Sequence, residues 1–315
     1  MRAVTVTEYG ATPAVAEIPT PEPGPGQILI NLRAAGMNPM DSVLASGAWK
    51  PMPATFPMVL GADGAGVVEQ LGDGASRFSV GDDLFGQLLI APLGSAGTYA
   101  EYVAAAEDAP LAPVPGGLDD FVAAALPTAG GAGLSLVDLL EPLAGKTVLI
   151  VGAGGGVGSF ATQFAARAGA NVIANVRDRD AERMRAYGAA ETIDRTANAL
   201  QDAVRQAHPD GVDVLIDLVD ADGPAFAALA SLVKGGGTAV STNYVADEAA
   251  LRASGIAGIN FVLQPSSELF GRVAEAVADG RIVAPPITRI SLAEAPAALN
   301  PAQARPASGK TVITL

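Results

Sequence analysis

The run Val148-Leu149-Ile150-Val151-Gly152-Ala153-Gly154-Gly155-Gly156-Val157-Gly158 constrains this chain more than any other stretch. Four β-formers pass into five glycines within seven positions, and a helix-like segment, Ser159 to Ala168, follows at once. A strand, a tight glycine turn and a helix in that order form a dinucleotide-binding element. Glycine lets the backbone turn with positive φ and approach a pyrophosphate with no Cβ in the way. The helix start then offers unpaired N–H groups and the positive end of its dipole to the phosphates. Gly152, Gly155 and Gly158 follow G-x-x-G-x-x-G rather than G-x-G-x-x-G, because Ala153 occupies the first glycine position of the commoner register. Gly154, Gly156 and Val157 complete the expected cofactor-binding turn. A glycine turn of an unrelated α/β protein would look the same in isolation, so the surrounding chain has to decide.

Around this turn, strand-like and helix-like segments alternate. Strands are expected at Thr147–Val151, Asn171–Ala174, Thr192–Ile193, Val212–Leu218, Thr238–Ser241 and Gly258–Val262. Helices are expected at Ser159–Ala168, Asp180–Tyr187, Ala197–Gln206 and Pro224–Val233. Such alternation predicts an α/β fold with a doubly wound parallel sheet and right-handed crossovers. The first third differs: short strands, proline-rich links and glycine turns give it a β-rich, barrel-like texture. Helix-like segments Asp119–Leu126 and Gly133–Leu140 bracket Pro127-Thr128-Ala129-Gly130-Gly131 as a turn. The tail carries a helix from Ser266 to Ala278 and a closing strand, Thr311–Leu315, expected to return to the β-rich domain. The boundaries predicted on this basis are 1–120 with 265–315 for a discontinuous β-rich domain, and 121–264 for the nucleotide-binding domain.

Composition removes several function classes. Thirty-three acids against 19 bases give a formal charge of −14, which would repel a phosphate backbone, so no nucleic-acid partner is expected. There is no cysteine, and His208 is the only histidine, which excludes disulfides, thiol catalysis and zinc sites built from Cys and His. No apolar run approaches the roughly 18 residues of a membrane span. The start Met1-Arg2-Ala3-Val4-Thr5-Val6 reads as a strand rather than a signal peptide, and a cytoplasmic location without membrane association is the expectation.

Several further segments accompany the glycine turn: Ala35-Gly36-Met37-Asn38-Pro39-Met40-Asp41, Leu60-Gly61-Ala62-Asp63-Gly64-Ala65-Gly66-Val67-Val68, Gly97-Thr98-Tyr99-Ala100-Glu101-Tyr102-Val103 and Ala125-Leu126-Pro127-Thr128-Ala129-Gly130. In this order and spacing they resemble the medium-chain dehydrogenase/reductase superfamily, in particular its zinc-independent quinone oxidoreductase (zeta-crystallin-like) branch. The resemblance implies a GroES-like β-rich barrel domain and a Rossmann domain with the active site in the cleft between them. It also implies hydride transfer from NADPH to a quinone or another α,β-unsaturated carbonyl, and a homodimer paired through the strand at Gly258–Val262. Zinc-dependent alcohol dehydrogenases of the superfamily place a cysteine where Asn38 stands and a His-Glu pair where Ala62-Asp63 stands; no metal is expected here. An enoyl-thioester reductase, or a nucleotide-binding protein with little turnover, are the alternatives.

The resemblance puts Asn38 nearest the reacting centre, as a donor to the substrate carbonyl or a support for the nicotinamide ribose, or simply as a turn residue before Pro39. Asp41 shares its face on a helical turn, or caps the helix. Thr128 lies in the nicotinamide-facing turn, where its hydroxyl bonds the cofactor or polarises the acceptor, or is an ordinary loop threonine. The family often carries tyrosines after the Asn-Pro turn; here Val43 to Trp49 has none, so protonation is expected from solvent with Trp49 as a flat apolar wall or a packing residue. Cofactor choice hangs on the end of the second Rossmann strand. Val176 stands where NAD enzymes carry an acid, and Arg177 and Arg195 are candidates for a 2′-phosphate, which favours NADPH over NADH. Asp178 argues the other way unless it turns to Arg179. Ser241 and Asn243, at the carboxyl end of a later strand, complete the expected cofactor contacts.

Overall fold

The computed structural model describes residues 1–50, 52–194, 200–300 and 308–315. Two compact units emerge: Met1–Gly131 with Pro265–Leu315, and Ala132–Gln264.

The first unit opens with β1 (Arg2–Val6), β2 (Ala14–Glu17), β3 (Gln27–Gly36), α1 (Pro39–Ser46), β4 (Met58–Val59), β5 (Asp63–Leu71), β6 (Asp83–Gln87), β7 (Tyr102–Ala106), β8 (Leu111–Pro113) and α2 (Asp120–Ala125). The next helix, α3 (Pro127–Leu140), contains the boundary at Gly131, later than the 120/121 junction expected from the change of texture. It also corrects the turn expected at Pro127–Gly131. Proline is suited to the first helical position, where its missing N–H costs nothing, so the chain re-enters helix at Pro127. Gly130 and Gly131 do not break it; a Cβ at Gly131 would stand 3.0 Å from the Phe270 ring, so the glycine serves close packing.

The second unit runs β9 (Thr147–Val151), α4 (Gly156–Arg167), β10 (Asn171–Val176), α5 (Asp178–Ala186), β11 (Glu191–Asp194), α6 (Leu200–Ala207), β12 (Val212–Asp217), α7 (Gly223–Ala230), β13 (Val233–Ser241), α8 (Glu248–Ala253) and β14 (Ala257–Asn260). Its six strands are all parallel, in the order β11-β10-β9-β12-β13-β14. The continuous apolar run of β9 is explained by this central place. Val148 and Ile150 pack into one core, Leu149 and Val151 into another on the opposite face, so neither face of the strand meets water. Each such fully buried side chain contributes about 1.5–3 kcal/mol, which outweighs any local preference for alternation. Val233, expected in a helix, instead begins β13, and α8 was not foreseen.

The chain then returns to the first unit with α9 (Ser267–Ala278), β15 (Ile287–Ser291), α10 (Ala295–Ala298) and β16 (Lys310–Thr314). Ser266 caps α9 by accepting from the Leu269 N–H at 3.1 Å. In the larger sheet of this unit, β16 lies antiparallel to β3, with Val312 opposite Gly36, and β5 lies on the other side of β3, with Asp63 opposite Gly36. A Cβ on Gly36 would fall 2.2 Å from the Ala124 carbonyl oxygen, so glycine there lets α2 sit directly on the sheet. Three strand ends therefore meet at one point: the last residue of β3, the first of β5 and the first of β16.

Candidate functional site

A buried polar centre fills this meeting point. Asp63, wholly buried, is its hub. Its Oδ2 accepts from Asn38 Nδ2 at 2.9 Å and from the Thr128 backbone N–H at 3.1 Å, and its Oδ1 accepts from the Thr128 hydroxyl at 2.6 Å. Lys310 Nζ donates to Asn38 Oδ1 and lies 3.5 Å from Asp63 Oδ2. Gln87 Nε2 donates to Thr128 Oγ1 at 2.6 Å. A buried carboxylate is tolerated only when paired and hydrogen-bonded. Here one ammonium and three further donors meet that requirement. Among the described residues, Lys310 is the only lysine or arginine that is buried.

Asp41 sits beside this centre with a separate set of partners. Its Oδ2 accepts from the Asn38 backbone N–H at 2.7 Å, closing the N-terminus of α1, and from the Tyr99 hydroxyl. Its Oδ1 has no partner. Burial pushes its carboxyl up to about 7, opposed by the hydrogen bonds from Tyr99 and the Asn38 N–H. Burial, with the Asp41 charge second, also holds the Tyr99 phenol well above its ordinary range. Asp41 thus takes the capping role among the two weighed from sequence.

In the second unit the glycine turn has the expected strand–turn–helix order. Gly152 turns with φ of 83° directly after β9, and Gly155 is the N-cap of α4. The helix starts at Gly156 rather than at Ser159, which brings Gly156, Val157 and Gly158 into its first turn. A Cβ on Gly158 would fall 2.4 Å from the Gly152 carbonyl oxygen and 2.5 Å from Ala153 Cα. A Cβ on Gly152 would meet Val219 at 2.5 Å. Both positions require glycine, and the turn lies where β9 and β12 part company, the switch point at which open parallel sheets take their ligands. Arg183 reaches the turn from α5: its guanidinium donates to the Gly154 carbonyl at 3.0 Å and to the Ser159 hydroxyl at 2.8 Å, and pairs with Asp180 at 2.7 Å. Asp217, ending β12, has its carboxyl raised to about 6 by burial, against hydrogen bonds from the Val219 and Asp220 N–H groups.

The sequence-derived candidates distribute over these two places. Asn38, 7% exposed, spends its carboxamide oxygen on Lys310 and one of its two amide hydrogens on Asp63. Thr128 corrects its expected role as a polarising donor. It lies in the first turn of α3, and its hydroxyl hydrogen is committed to Asp63, leaving an acceptor lone pair alone. Trp49 follows the end of α1 and is 38% exposed, without a ring partner among the described residues. Arg177 precedes α5 with no ion pair among the described residues. Asp178 stands exposed in the first turn of α5, and Arg179 pairs with Asp180 at 3.8 Å rather than with Asp178. Arg195 lies outside the described residues. Ser241 is buried and its hydroxyl accepts from the Asn243 N–H at 3.2 Å, while Asn243 Nδ2 donates to the Asp220 carbonyl at 3.0 Å. Both therefore shape the loop after β13.

Sequence reasoning passed over Asp63, Lys310, Tyr99 and Arg183. Asp63 carried a visible signal, a lone acid inside an apolar, glycine-punctuated run; Lys310 carried a weaker one, a lone base opening an apolar closing strand. As a metal centre the donor set fails. Asn38, Ala62 and Asp63 offer one carboxylate, the ammonium of Lys310 stands against it, and no group of three His, Asp or Glu residues suited to a metal occurs among the described residues. A dinucleotide fits better, since the turn leaves room only for hydrogen at Gly152 and Gly158 and ends in a helix N-terminus with no side-chain cap.

Residues 24–116 match the alcohol dehydrogenase GroES-like domain, and residues 187–313 match the zinc-binding dehydrogenase family model. The quinone oxidoreductase of Rattus norvegicus is 31% identical over 225 residues, 70% of this chain and 66% of the relative, so the match spans just under two thirds of that protein. The solved quinone oxidoreductase from Coxiella burnetii superposes with a TM-score of 0.87 at 26% identity, covering 100% of this chain and 99% of its own. A structure described as an NAD-dependent alcohol dehydrogenase superposes with a TM-score of 0.85 at 30% identity, with 100% of both chains covered. With the glycine turn, the six-stranded parallel sheet and the GroES-like unit all in place, the chain belongs to the medium-chain dehydrogenase/reductase superfamily and is similar to the quinone oxidoreductases within it.

Proposed function

We propose that this chain is an NADPH-dependent reductase that passes hydride to a quinone or another α,β-unsaturated carbonyl without a metal. The observation that carries the reading is the polar centre of the first unit. Asn38 Nδ2 gives one of its two hydrogens to Asp63 and keeps the other, a neutral N–H on a carboxamide whose oxygen is held by Lys310. A fixed neutral donor suits an acceptor that conjugation has already made electrophilic, and suits an alcohol poorly, since the one cation of the centre, Lys310, is balanced by Asp63 and no metal ligand set stands beside it to stabilise an alkoxide.

When bound, the reduced nicotinamide supplies the hydride. Gly152–Gly158 and the start of α4 would hold the pyrophosphate through backbone N–H groups, and Arg177, which has no ion pair among the described residues, would take the 2′-phosphate. Asn38 donates its remaining N–H to the acceptor carbonyl. Negative charge gathers on that oxygen in the transition state, so the hydrogen bond strengthens there; donors of this kind contribute about 10²–10³ in rate. The proton that completes reduction comes from solvent, giving one hydroquinone and one oxidised nucleotide per quinone, NADPH and proton.

The test mixes the purified chain with NADPH or NADH and 1,4-benzoquinone or 9,10-phenanthrenequinone, following absorbance at 340 nm. Consumption of NADPH, faster than of NADH, is expected. Tight NADPH binding without oxidation by any quinone or enone overturns the enzyme reading, and turnover confined to enoyl thioesters overturns the acceptor class.

A further inference from the structure

We propose that Lys310 is the positioning residue for Asn38: its ammonium holds the carboxamide in one orientation and strengthens the single N–H left for an acceptor. This rests on the reading of Asn38 given above.

The backbone at Lys310 is pinned. Gly309 turns with φ of 80° just before it, a Cβ there would fall 2.1 Å from the Pro286 carbonyl oxygen, and the Lys310 N–H donates to that same oxygen at 2.9 Å. The side chain is 5% exposed and reaches inward to Asn38 Oδ1 and Asp63 Oδ2. An ammonium can only donate and a carboxylate can only accept, so the two ends of the Asn38 amide cannot exchange places. Turning it over would set Nδ2 hydrogens against Lys310 and Oδ1 against Asp63, two repulsive contacts in a water-poor site. The amide nitrogen therefore always faces Asp63, and its second hydrogen has one fixed direction before any acceptor binds. Such preorganisation removes the reorientation that a free asparagine would need in the transition state.

The charge adds a second effect. A cation on the carboxamide oxygen draws electron density from the nitrogen, which makes each N–H a better donor, as in any chain of polarised hydrogen bonds. Lys310 thus helps to stabilise the negative charge that gathers on the acceptor's oxygen without touching it. Asp63 works in the same arrangement by balancing the ammonium and fixing the nitrogen end.

A mutant cycle tests the proposal. Lys310→Met, Asn38→Ala and the double variant are compared for quinone kcat, quinone KM and NADPH Kd. We expect Lys310→Met to lower kcat by about tenfold with NADPH Kd within about twofold of wild type. In the Asn38→Ala background the same change should cost less than about twofold, because the group it acts through is gone. Since Lys310→Met alone leaves Asp63 unbalanced and can fail to fold, Asp63→Asn/Lys310→Met removes both charges together and should show the same loss of kcat. Additive losses in the cycle, an unchanged kcat in the charge-free pair, or a loss confined to NADPH Kd would each overturn the assignment. If wild type turns over no acceptor, the functional reading fails by itself and the amide is followed directly. The Asn38 side-chain NH2 signal, identified by its disappearance in Asn38→Ala, should exchange with solvent at least about tenfold faster in Asp63→Asn/Lys310→Met. Unchanged exchange overturns the positioning role.

Discussion

Asp41→Asn isolates the effect of one buried carboxyl on the stability of the first unit. The folded-state carboxyl is raised from 3.8 to about 7, with burial as the main cause. The native state therefore keeps a proton that the unfolded chain releases above pH 4. Its contribution is fully present below the unfolded value and is lost as pH rises to about 7, above which the difference is flat. Between pH 5 and pH 8 this loss comes to about 3 kcal/mol, because close to two units of the shift fall inside that window at 1.36 kcal/mol each. Asparagine copies the neutral acid: its carbonyl oxygen can accept from the Asn38 N–H and from Tyr99 as Oδ2 does, and its NH2 takes the place of the unpartnered Oδ1. Thermal unfolding of wild type and variant at pH 5 and pH 8 is the assay. For a unit of this size about 3 kcal/mol corresponds to roughly 6–12 °C, so the wild-type Tm should fall by that much more than the variant's on going from pH 5 to pH 8. Groups common to both proteins, Asp217 included, cancel in the comparison. Parallel Tm profiles for the two proteins would mean that Asp41 is ionised throughout, and the reasoning from burial would be wrong.

Two further perturbations address the nucleotide turn. Gly158→Ala places a Cβ against the backbone at Gly152 and Ala153, neither of which can yield without moving the turn, so NADPH binding should weaken at least about tenfold by fluorescence titration; an unchanged Kd would remove the turn from the cofactor site. Arg177→Ala should raise the KM for NADPH by roughly 10–100-fold and leave NADH kinetics unchanged, the range expected for losing a charge-assisted hydrogen bond to phosphate. Equal effects on the two nucleotides would show that Arg177 does not contact the 2′-phosphate.

The parts of this molecule written in its sequence are those set by short-range pattern. Val148–Val151 is apolar without alternation because it lies between two cores, and that run with Gly152–Gly158 announced a buried parallel strand and its turn before any partner strand was known. The want of zinc ligands is a matter of composition, since a chain with no cysteine and one histidine cannot build such a site. Tertiary structure decided the rest. Pro127–Gly131 reads locally as a turn, yet α3 passes through it, because packing of Gly131 against Phe270 outweighs the weak helix propensity of glycine. Asp63 and Lys310 lie 247 residues apart and share no local pattern. They meet because Gly36 is paired with Asp63 on one side and with Val312 on the other, a register fixed by closure of the whole sheet. Asn38 was legible as a candidate from the Asn-Pro turn, whereas the direction of its one uncommitted N–H depends on which charges stand at either end of its amide, and long-range strand pairing alone brings those charges there.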